Sequence, residues 1–251
     1  MATIHTAEQY ANIYKILQKH DNSKQIIDHI TKEILPTINC NRFLDIGAGE
    51  GKITKKISPH FNNTLAIEPN PTYASLLKSI DNLTVINQTF QEVKLTEQYN
   101  FILCSHVLYH VDEKDWDAFA LKAYKALAPG GVLMFVVPSN KGEHYEKCIS
   151  YNPQYKCYKL LKAIANKHRI NYRLEITDAF YNTTTLDEMY QICRFSILED
   201  SFTYEMYQEL LQKGIEPFNA DVMDYAKRKY VDDDHYSLII HPAFISFHKP
   251  L

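Results

Sequence analysis

The stretch FLDIGAGEGKI, residues 43–53, decides the fold that we predict for this chain of 251 residues. An apolar segment typical of a buried β-strand leads into Gly47, Gly49 and Gly51, three of only seven glycines in the protein. Glycine permits positive φ angles and lets a ligand approach the main chain, and the start of a following helix offers unpaired N–H groups. The pattern predicts a strand, a ligand-binding loop and a helix, in that order.

Two common nucleotide-binding loops do not match these glycines. A Walker A loop requires Ser or Thr where this chain has Ile53, and the dinucleotide pattern requires a third glycine where it has Lys52. What remains is an acidic residue, Asp45, ahead of the glycines, and Glu68 at the end of the next strand candidate, 21 residues after Gly47. A carboxylate at that point can accept hydrogen bonds from both hydroxyls of a ribose.

Structural roles for the same residues are open alternatives. Gly51 can serve helix packing alone, Asp45 can cap the turn, and Glu68 can be a solvent-facing acid ahead of a proline. The sequence does not choose between these roles and a direct role in ligand binding.

Apolar segments and helical patterns alternate along the rest of the chain. Short apolar strands separated by helices predict a mostly parallel sheet that is covered on both faces. The predicted strands are 42–47, 64–69, 83–87, 99–107 and 132–138, followed by 172–180 and 236–249 as possible extensions of the sheet. The predicted helices are two within 7–38 (the second capped by Asp21, Asn22 or Ser23), one ending near 58, 71–80 with Asn70 as its cap, 113–131, 142–169, 185–194, 202–213 and 219–230.

Composition excludes several classes of partner. The formal charge is −3 and no basic run is present, which argues against binding of nucleic-acid phosphates. The N-terminus lacks an apolar signal-peptide core, and no apolar stretch reaches membrane length. Five widely spaced cysteines without a C-x-x-C pair fit reduced thiols. We therefore expect a soluble, cytoplasmic protein with no nucleic-acid or membrane partner.

Three further segments follow the glycine loop in a recognisable order. NQTF (87–90) ends the third strand, SHVLYHV (105–111) follows the fourth, and LAPGGVLMF (127–135) forms a helix, turn and strand. With the loop and Glu68, this set resembles the class I S-adenosylmethionine-dependent methyltransferases over residues 42–138. The resemblance implies a Rossmann-like, doubly wound α/β fold with a mostly parallel seven-stranded sheet, N-terminal helices and a helical C-terminal substrate lid. It implies S-adenosyl-L-methionine as cofactor, bound by Asp45, Gly47, Ala48, Gly49, Glu68, Pro69, Tyr73, Thr89, Phe90 and Ser105.

Weaker similarities point to the histamine N-methyltransferase-like branch. They lie in residues 10–38, FILCSHVLYHVDE (101–113), the HYEKC helix and LEITDAF (174–180). That family binds its substrate with a carboxylate of the first helix, a glutamine after the fourth strand and an asparagine near the C-terminal strand. Here those places hold Asn12, His106 and a position close to His241, so histamine itself is in doubt. The resemblance implies substrate contacts from Tyr10, Asn12, Tyr14, His106, His110 and His241.

His106 is the candidate catalytic residue, as a general base or as a contact to the methyl acceptor. A packing role at the strand end is the alternative. His106 and His110 form H-x-x-x-H, but the central glutamate of H-E-x-x-H and a third ligand are missing, so no metal site is predicted.

These observations predict three segments with different roles. They are an N-terminal helical cap (1–41), a cofactor-binding core (42–138), and a substrate-binding insertion or lid with the final strands (139–251). The predicted function is methyl transfer to a small molecule, with an amine or imidazole nitrogen favoured. Small-molecule O- or carboxyl methylation and non-catalytic cofactor binding are the alternatives. Nothing in the sequence selects a monomer or a dimer.

Overall fold

The structure, a computed structural model, describes residues 4, 13, 15–17, 19, 22–155, 157–233 and 235–251. The chain divides into two compact units that alternate along the sequence. The core unit comprises Ser23–Ser139, Cys157–Thr177 and Pro242–Leu251, and the inserted unit comprises Met1–Asn22, Asn140–Lys156 and Asp178–His241. The cap, core and lid roles expected for 1–41, 42–138 and 139–251 stay predictions. Two late segments, Cys157–Thr177 and Pro242–Leu251, belong to the core unit.

The strands of the described residues form two sheets. They are β1 (Arg42–Ile46), β2 (Asn63–Ile67), β3 (Leu83–Ile86), β4 (Tyr99–Ser105), β5 (Leu127–Pro138), β6 (Asn171–Ile176), β7 (Ala179–Thr183), β8 (Tyr230–Asp232), β9 (His235–Ile240) and β10 (Pro242–His248). The core unit holds a seven-stranded sheet in the order β3-β2-β1-β4-β5-β10-β6. β1 to β5 pair in parallel, and β10 is antiparallel to both of its neighbours. The predicted mostly parallel, doubly wound α/β fold is confirmed.

The α-helices of the described residues are also distributed over both units. They are α1 (Ser23–His29), α2 (Lys52–Ile57), α3 (Pro71–Leu77), α4 (Trp116–Lys125), α5 (Gly142–Tyr151), α6 (Lys159–Lys167), α7 (Leu186–Ser201), α8 (Tyr204–Lys213) and α9 (Glu216–Lys227). α1 continues into a π-helix, Ile30–Ile34, and a 3₁₀ turn, Leu35–Thr37, where Pro36 ends the helical run.

Alternating side chains of the strands place apolar groups on both faces of the large sheet. On one face, Phe43 and Phe101 pack with α1 and the π-helix in a cluster of buried side chains. On the other face, Leu44 and Ile102 pack with α4 and α6. Successive strand residues point to opposite faces, so two helical layers require strands that are apolar throughout. For this reason the sequences of β1 and β4 are almost continuously apolar.

Two predicted elements end at different residues in the structure. The helix predicted for 113–131 stops at Lys125, and Leu127 already belongs to β5, where it pairs with Tyr99 across an irregularity in the ladder. The helix predicted for 142–169 is interrupted between α5 and α6, because Pro153 cannot continue it. The side-chain oxygen of Asn152 accepts a hydrogen bond from Gln154 N–H, which forms a turn at this point.

The two late strand predictions are each divided between the sheets. From 172–180, β6 joins the large sheet and β7 joins a three-stranded sheet of the order β7-β9-β8. From 236–249, β9 joins the small sheet and β10 the large one. The expectation that both segments extend the main sheet holds only for β6 and β10. Pro242 directly follows the break at His241, in line with the extended conformation that a residue before proline prefers.

The inserted unit has its own apolar core. Side chains of α5, α7, α9 and β9, among them Cys148, Met189, Val222 and Leu238, are almost completely buried against one another. α7 begins at an N-cap, Thr185, whose hydroxyl accepts a hydrogen bond from Glu188 N–H. Over the part of the chain that the structure describes, no helix combines the length and the apolar character needed to cross a membrane.

Candidate cofactor-binding site

The glycine loop lies where the order of the strands reverses. β1 pairs with β2 on one side and with β4 on the other, so their carboxyl ends leave a crevice at one edge of the sheet. Gly47 N–H donates to Ile67 O (2.8 Å), which fixes the start of the loop to the end of β2. In open α/β sheets, ligands bind in a crevice of this kind.

The three glycines of the loop have positive φ angles but different surroundings. A Cβ on Gly47 would lie 2.3 Å from Cγ2 of Val107, and one on Gly51 would lie 2.6 Å from Cδ2 of Leu77. A Cβ on Gly49 would meet no atom of the described residues within 4 Å. Gly47 and Gly51 are therefore required by packing, whereas the space beside Gly49 is open to a ligand.

Glu68 follows β2 and braces the loop. Its two carboxylate oxygens accept hydrogen bonds from the N–H groups of Gly49 and Asn70, both at 2.8 Å. The side chain is buried, with the whole residue 6% exposed, so it is not a solvent-facing acid. A carboxylate offers about four acceptor positions, and these two hydrogen bonds leave about two for further donors.

Asp45 lies below the loop, within β1. Its Oδ2 accepts a hydrogen bond from the hydroxyl of Thr54 in α2 (2.6 Å), which ties the strand to the helix. Burial raises the pKa of Asp45 to about 7, because desolvation and the nearby Glu68 carboxylate outweigh the Thr54 hydrogen bond. Asp45 therefore links the strand before the loop to the helix after it.

The segment after Glu68 is fixed by asparagines. Asn70 caps α3 by accepting hydrogen bonds from the N–H groups of Thr72 and Tyr73, as the sequence predicted. Asn87, at the end of β3, donates to the carbonyls of Glu68 and Pro69 at 2.8 and 2.9 Å. Pro69 and Tyr73 are thereby held next to the loop. Burial and the charges of Glu50 and Glu68 raise the pKa of the Tyr73 phenol.

Thr89 and Phe90, predicted to lie near an adenine ring, occupy different environments. Thr89 is exposed and does not belong to the core, and its N–H and hydroxyl both donate hydrogen bonds to Glu92 Oε2. Phe90 is 4% exposed and packs on the ring of Phe119 (4.7 Å between centroids). Lys122 donates to Phe90 O as well, so Phe90 belongs to the sheet's apolar core.

Ser105 is the last residue of β4, on the other side of the crevice, and His106 follows it. Ser105 Oγ is buried, and no hydrogen-bond partner for it lies among the described residues. His106 has a φ of 58°, a left-handed conformation that non-glycine residues rarely adopt, and its N–H donates to Val136 O (3.0 Å). The Tyr109 ring lies 6.2 Å from the ring of His106 and 4.7 Å from that of His110.

The remaining predicted substrate residues are His241, Tyr10, Asn12 and Tyr14. His241 lies in the inserted unit, where its Nδ1 is 2.8 Å from Asp178 Oδ1 and its ring covers the main chain of Gly142. Tyr10, Asn12 and Tyr14 lie outside the residues that the structure describes.

Sequence reasoning missed three residues that shape the site. Thr54 and Val107 gave no signal, because only the folded chain brings them to Asp45 and Gly47. Asn87 had a usable signal, since an asparagine that ends an apolar strand often binds neighbouring main chain.

Comparison with known proteins places the chain in a family. The family described as a methyltransferase domain matches residues 17–191, more than half of the chain. The protein therefore belongs to the methyltransferase-domain family. Its fold and its loop with Glu68 fit S-adenosylmethionine, the cofactor of that family.

Individual relatives are distant. Alpha N-terminal protein methyltransferase 1 of Dictyostelium discoideum is 29% identical over 107 residues, which are 39% of this chain and 39% of that protein. The match thus spans about two fifths of that curated relative's length. The N-methyltransferase NodS of Bradyrhizobium japonicum, in complex with S-adenosylhomocysteine, is 13% identical, covers 97% of this chain and 99% of its own, and has a TM-score of 0.58. Haemonchus contortus phosphoethanolamine N-methyltransferase 2 is 18% identical, covers 95% of this chain and 57% of its own, and has a TM-score of 0.56. The solved structures establish similarity of fold.

The residues of the crevice fit this cofactor. A polar, hydroxyl-bearing ligand requires space, hydrogen-bond acceptors and hydrogen-bond donors. Among the described residues, the crevice offers open space beside Gly49, the acceptor positions that two main-chain hydrogen bonds leave on Glu68, and the Ser105 hydroxyl, which has no partner there. Glu68 is the residue that would hold ribose hydroxyls, and the loop main chain would hold the amino-acid portion.

Proposed function

We propose that this protein is an S-adenosylmethionine-dependent methyltransferase and that it transfers the methyl group to a nitrogen atom of a small molecule, an amine or an imidazole. We propose His106 as the residue that contacts the acceptor or removes its proton. The proposal adopts the histamine N-methyltransferase-like resemblance only for the class of acceptor, since the family's own substrate contacts are replaced here by Asn12, His106 and His241.

The observation that carries the role of His106 is its backbone conformation. The left-handed conformation of a non-glycine residue costs about 1–3 kcal/mol of free energy. It persists where the surrounding structure enforces it, often at functional sites. His106 has such a conformation, and its N–H donates a hydrogen bond to Val136 O, which fixes its main chain directly after Ser105 at the crevice edge. A histidine held in this way is poised to present its ring at a fixed position.

The chemistry requires a neutral nitrogen and a dry, aligned site. When bound, S-adenosylmethionine supplies an electrophilic methyl group and leaves as a neutral thioether. The acceptor nitrogen contributes its lone pair to the new C–N bond, and its proton is released to a base or to water. Imidazole is the side chain best suited to accept that proton near neutral pH. His106 would therefore act on the acceptor and not on the cofactor.

The other predicted site residues keep their roles as proposals. For the cofactor these are Asp45, Gly47, Ala48, Gly49, Glu68, Pro69, Tyr73, Thr89 and Ser105, with Phe90 contributing through the packing under Thr89. For the acceptor they are Tyr10, Tyr14, Asn12, His110 and His241. We propose that residues 139–251 form the substrate-binding insertion or lid, and that two or three of their tyrosines contact the acceptor.

The second candidate for the methyl acceptor is the α-amine of a protein N-terminus. The curated relative that matches 39% of this chain is named for methylation of that group. An α-amine on a peptide and an amine on a small molecule require the same deprotonated nitrogen, so the two candidates differ only in the size of the acceptor.

A panel assay with methyl-labelled cofactor tests the proposal. The panel contains small amines, imidazoles, peptides with free and with acetylated α-amines, and hydroxyl or carboxyl compounds. We expect label in small nitrogen compounds. Labelling of peptides with free α-amines alone would select the second candidate, and labelling of oxygen acceptors alone would contradict both. Binding of S-adenosylhomocysteine without turnover on any acceptor would support the non-catalytic alternative.

The role of His106 is tested on the acceptor found in that panel. His106→Gln should lower kcat at least tenfold and remove the rise of kcat with pH that an ionising base produces, because glutamine cannot take a proton. His60→Gln is the matched control, since His60 is exposed in the 3₁₀ turn ahead of β2, at the opposite edge of the sheet. An unchanged pH profile in His106→Gln would limit His106 to a contact.

A further inference from the structure

A second group of reactive side chains lies in the inserted unit, away from the glycine loop in sequence. His144 and Cys148 are four residues apart in α5 and therefore share one face of that helix. Asp200, in the last turn of α7, points at the same place, so that one ligand atom from each residue lies within 4.8 Å of the others. The cluster joins two helices of the inserted unit.

Two distances from His144 within this cluster are those expected between ligands of one metal ion. His144 Nε2 lies 3.7 Å from Cys148 Sγ and 3.5 Å from Asp200 Oδ2. One imidazole N–H cannot serve two acceptors well, and 3.5 Å exceeds the usual N–H···O distance of about 2.7–3.2 Å. Around a tetrahedral zinc ion, ligand bonds of about 2.0–2.3 Å separate nitrogen from sulfur by about 3.6 Å and nitrogen from oxygen by about 3.4 Å. The observed separations match these two values.

Burial and charge agree with a bound dication. His144 is 7% exposed and Cys148 is fully buried, while the Asp200 side chain is 20% exposed, which leaves an access route on its side. A thiolate and a carboxylate together neutralise a divalent ion, so the buried charges are compensated. Thiolate and imidazole ligands favour zinc over magnesium or calcium.

We propose that His144, Cys148 and Asp200 bind a zinc ion that cross-links α5 and α7. The ion leaves its fourth coordination position to water or another ligand. Its position between two helices makes it a structural clamp for the inserted unit, a role separate from methyl transfer. The sequence signal is the H-x-x-x-C spacing of residues 144–148, whose third ligand lies 52 residues further along the chain.

The first test is metal content and cobalt spectroscopy on the untagged wild-type protein. After dialysis against metal-free buffer with added zinc, we expect about one zinc ion per chain by mass spectrometry. Cobalt substitution should give the visible bands of tetrahedral coordination and a near-ultraviolet thiolate band. Cys148→Ser should lose the thiolate band and bind at least tenfold more weakly. Cys193→Ser, at another buried cysteine of the same unit, should behave as wild type.

Two further measurements test the proposal even if Cys148→Ser does not fold. Asp200→Asn changes the most exposed ligand, and it should weaken cobalt binding at least tenfold and shift the visible bands. In the wild type, zinc at about 100 times its dissociation constant should raise Tm by roughly 5–10 °C, and a chelator should reverse the rise. Zinc content below about a tenth of an ion per chain, or cobalt binding unaffected by Asp200→Asn, would overturn the proposal.

Discussion

Replacement of Glu68 by glutamine separates the two functions that the structure gives to this side chain. The carboxylate accepts hydrogen bonds from the N–H groups of Gly49 and Asn70, and it has acceptor positions left for the cofactor. Glutamine has the same shape but only one acceptor oxygen, so its NH₂ group must face one of the two main-chain N–H donors or the cofactor. Either arrangement leaves a buried donor without a partner.

The size of the effect follows from the loss of charge-assisted hydrogen bonds. Hydrogen bonds to a charged group contribute about 1.5–3 kcal/mol each, so we expect Glu68→Gln to weaken S-adenosylhomocysteine binding roughly 10- to 150-fold. The unpaired main-chain donor should lower the free energy of unfolding by about 1–3 kcal/mol. Isothermal titration calorimetry measures the first quantity, and urea denaturation without ligand measures the second.

Glu97→Gln is the matched control for this experiment. Glu97 forms an ion pair with Arg42 at the amino-terminal end of β1, so the same change of charge occurs at the opposite edge of the sheet. The control should bind the ligand as wild type does. If Glu68→Gln were folded and bound S-adenosylhomocysteine as tightly as Glu97→Gln, Glu68 would be only a brace for the loop, and its assignment to the ribose would be refuted.

Further predictions concern the loop and its supports. Gly47→Ala places a Cβ 2.3 Å from Val107 at positive φ, so urea denaturation should show a loss of about 2–4 kcal/mol. The Cβ of Gly49→Ala meets no atom within 4 Å in the part of the chain that the structure describes, so this variant should lose only about 1–2 kcal/mol of stability. It should nevertheless bind S-adenosylhomocysteine at least tenfold more weakly in calorimetry, and equal affinity would show that no ligand approaches there. The folded pKa of Asp45 is about 7, above the ordinary 3.8, so the wild type is stabilised by the proton at low pH and loses this stability as pH rises from about 4 to about 7. Relative to wild type, Asp45→Asn should therefore gain up to about 4 kcal/mol across that window, and a difference independent of pH would contradict the raised pKa. Asn70→Ala removes the cap of α3 and should cost about 0.5–2 kcal/mol in urea denaturation, with no change expected if solvent replaces the cap.

The sequence predicted those parts of the fold that depend on local signals. Buried strands such as β1 and β4 are apolar on both faces, and Asn70 ahead of Pro71 is a cap that can be identified without a structure. The glycine loop was predictable for the same reason, because positive φ angles leave a direct mark on the sequence.

Elements whose partners are distant in sequence were not predictable in this way. The segments 172–180 and 236–249 each look like one strand, but their halves pair with different sheets, and only tertiary pairing decides where each half belongs. Leu127 likewise fits the helical pattern of α4, yet it pairs with Tyr99 in the sheet. Strand pairing overrides local propensity at both places.

The residues of the candidate site also differ in whether local sequence signals predict their surroundings. Glu68 and the glycines were predicted from residue type and spacing, and the structure brings Glu68 and Gly49 together. Phe90 was predicted beside the cofactor, and in the structure its ring packs against that of Phe119. An aromatic residue after a strand can face either the crevice or the core, and the pattern of neighbouring residues does not distinguish these directions. The cluster around His144 was missed for a related reason, since Asp200 comes from another helix.

The central claim is that the cofactor binds between the glycine loop and Glu68. A crystal structure of the complex with S-adenosylhomocysteine tests it most directly. We expect the ribose hydroxyls within hydrogen-bond distance of the Glu68 carboxylate and the amino-acid portion beside the main chain of Gly47 and Gly49. A ligand bound elsewhere, with the Glu68 carboxylate making only its two main-chain hydrogen bonds, would contradict the account.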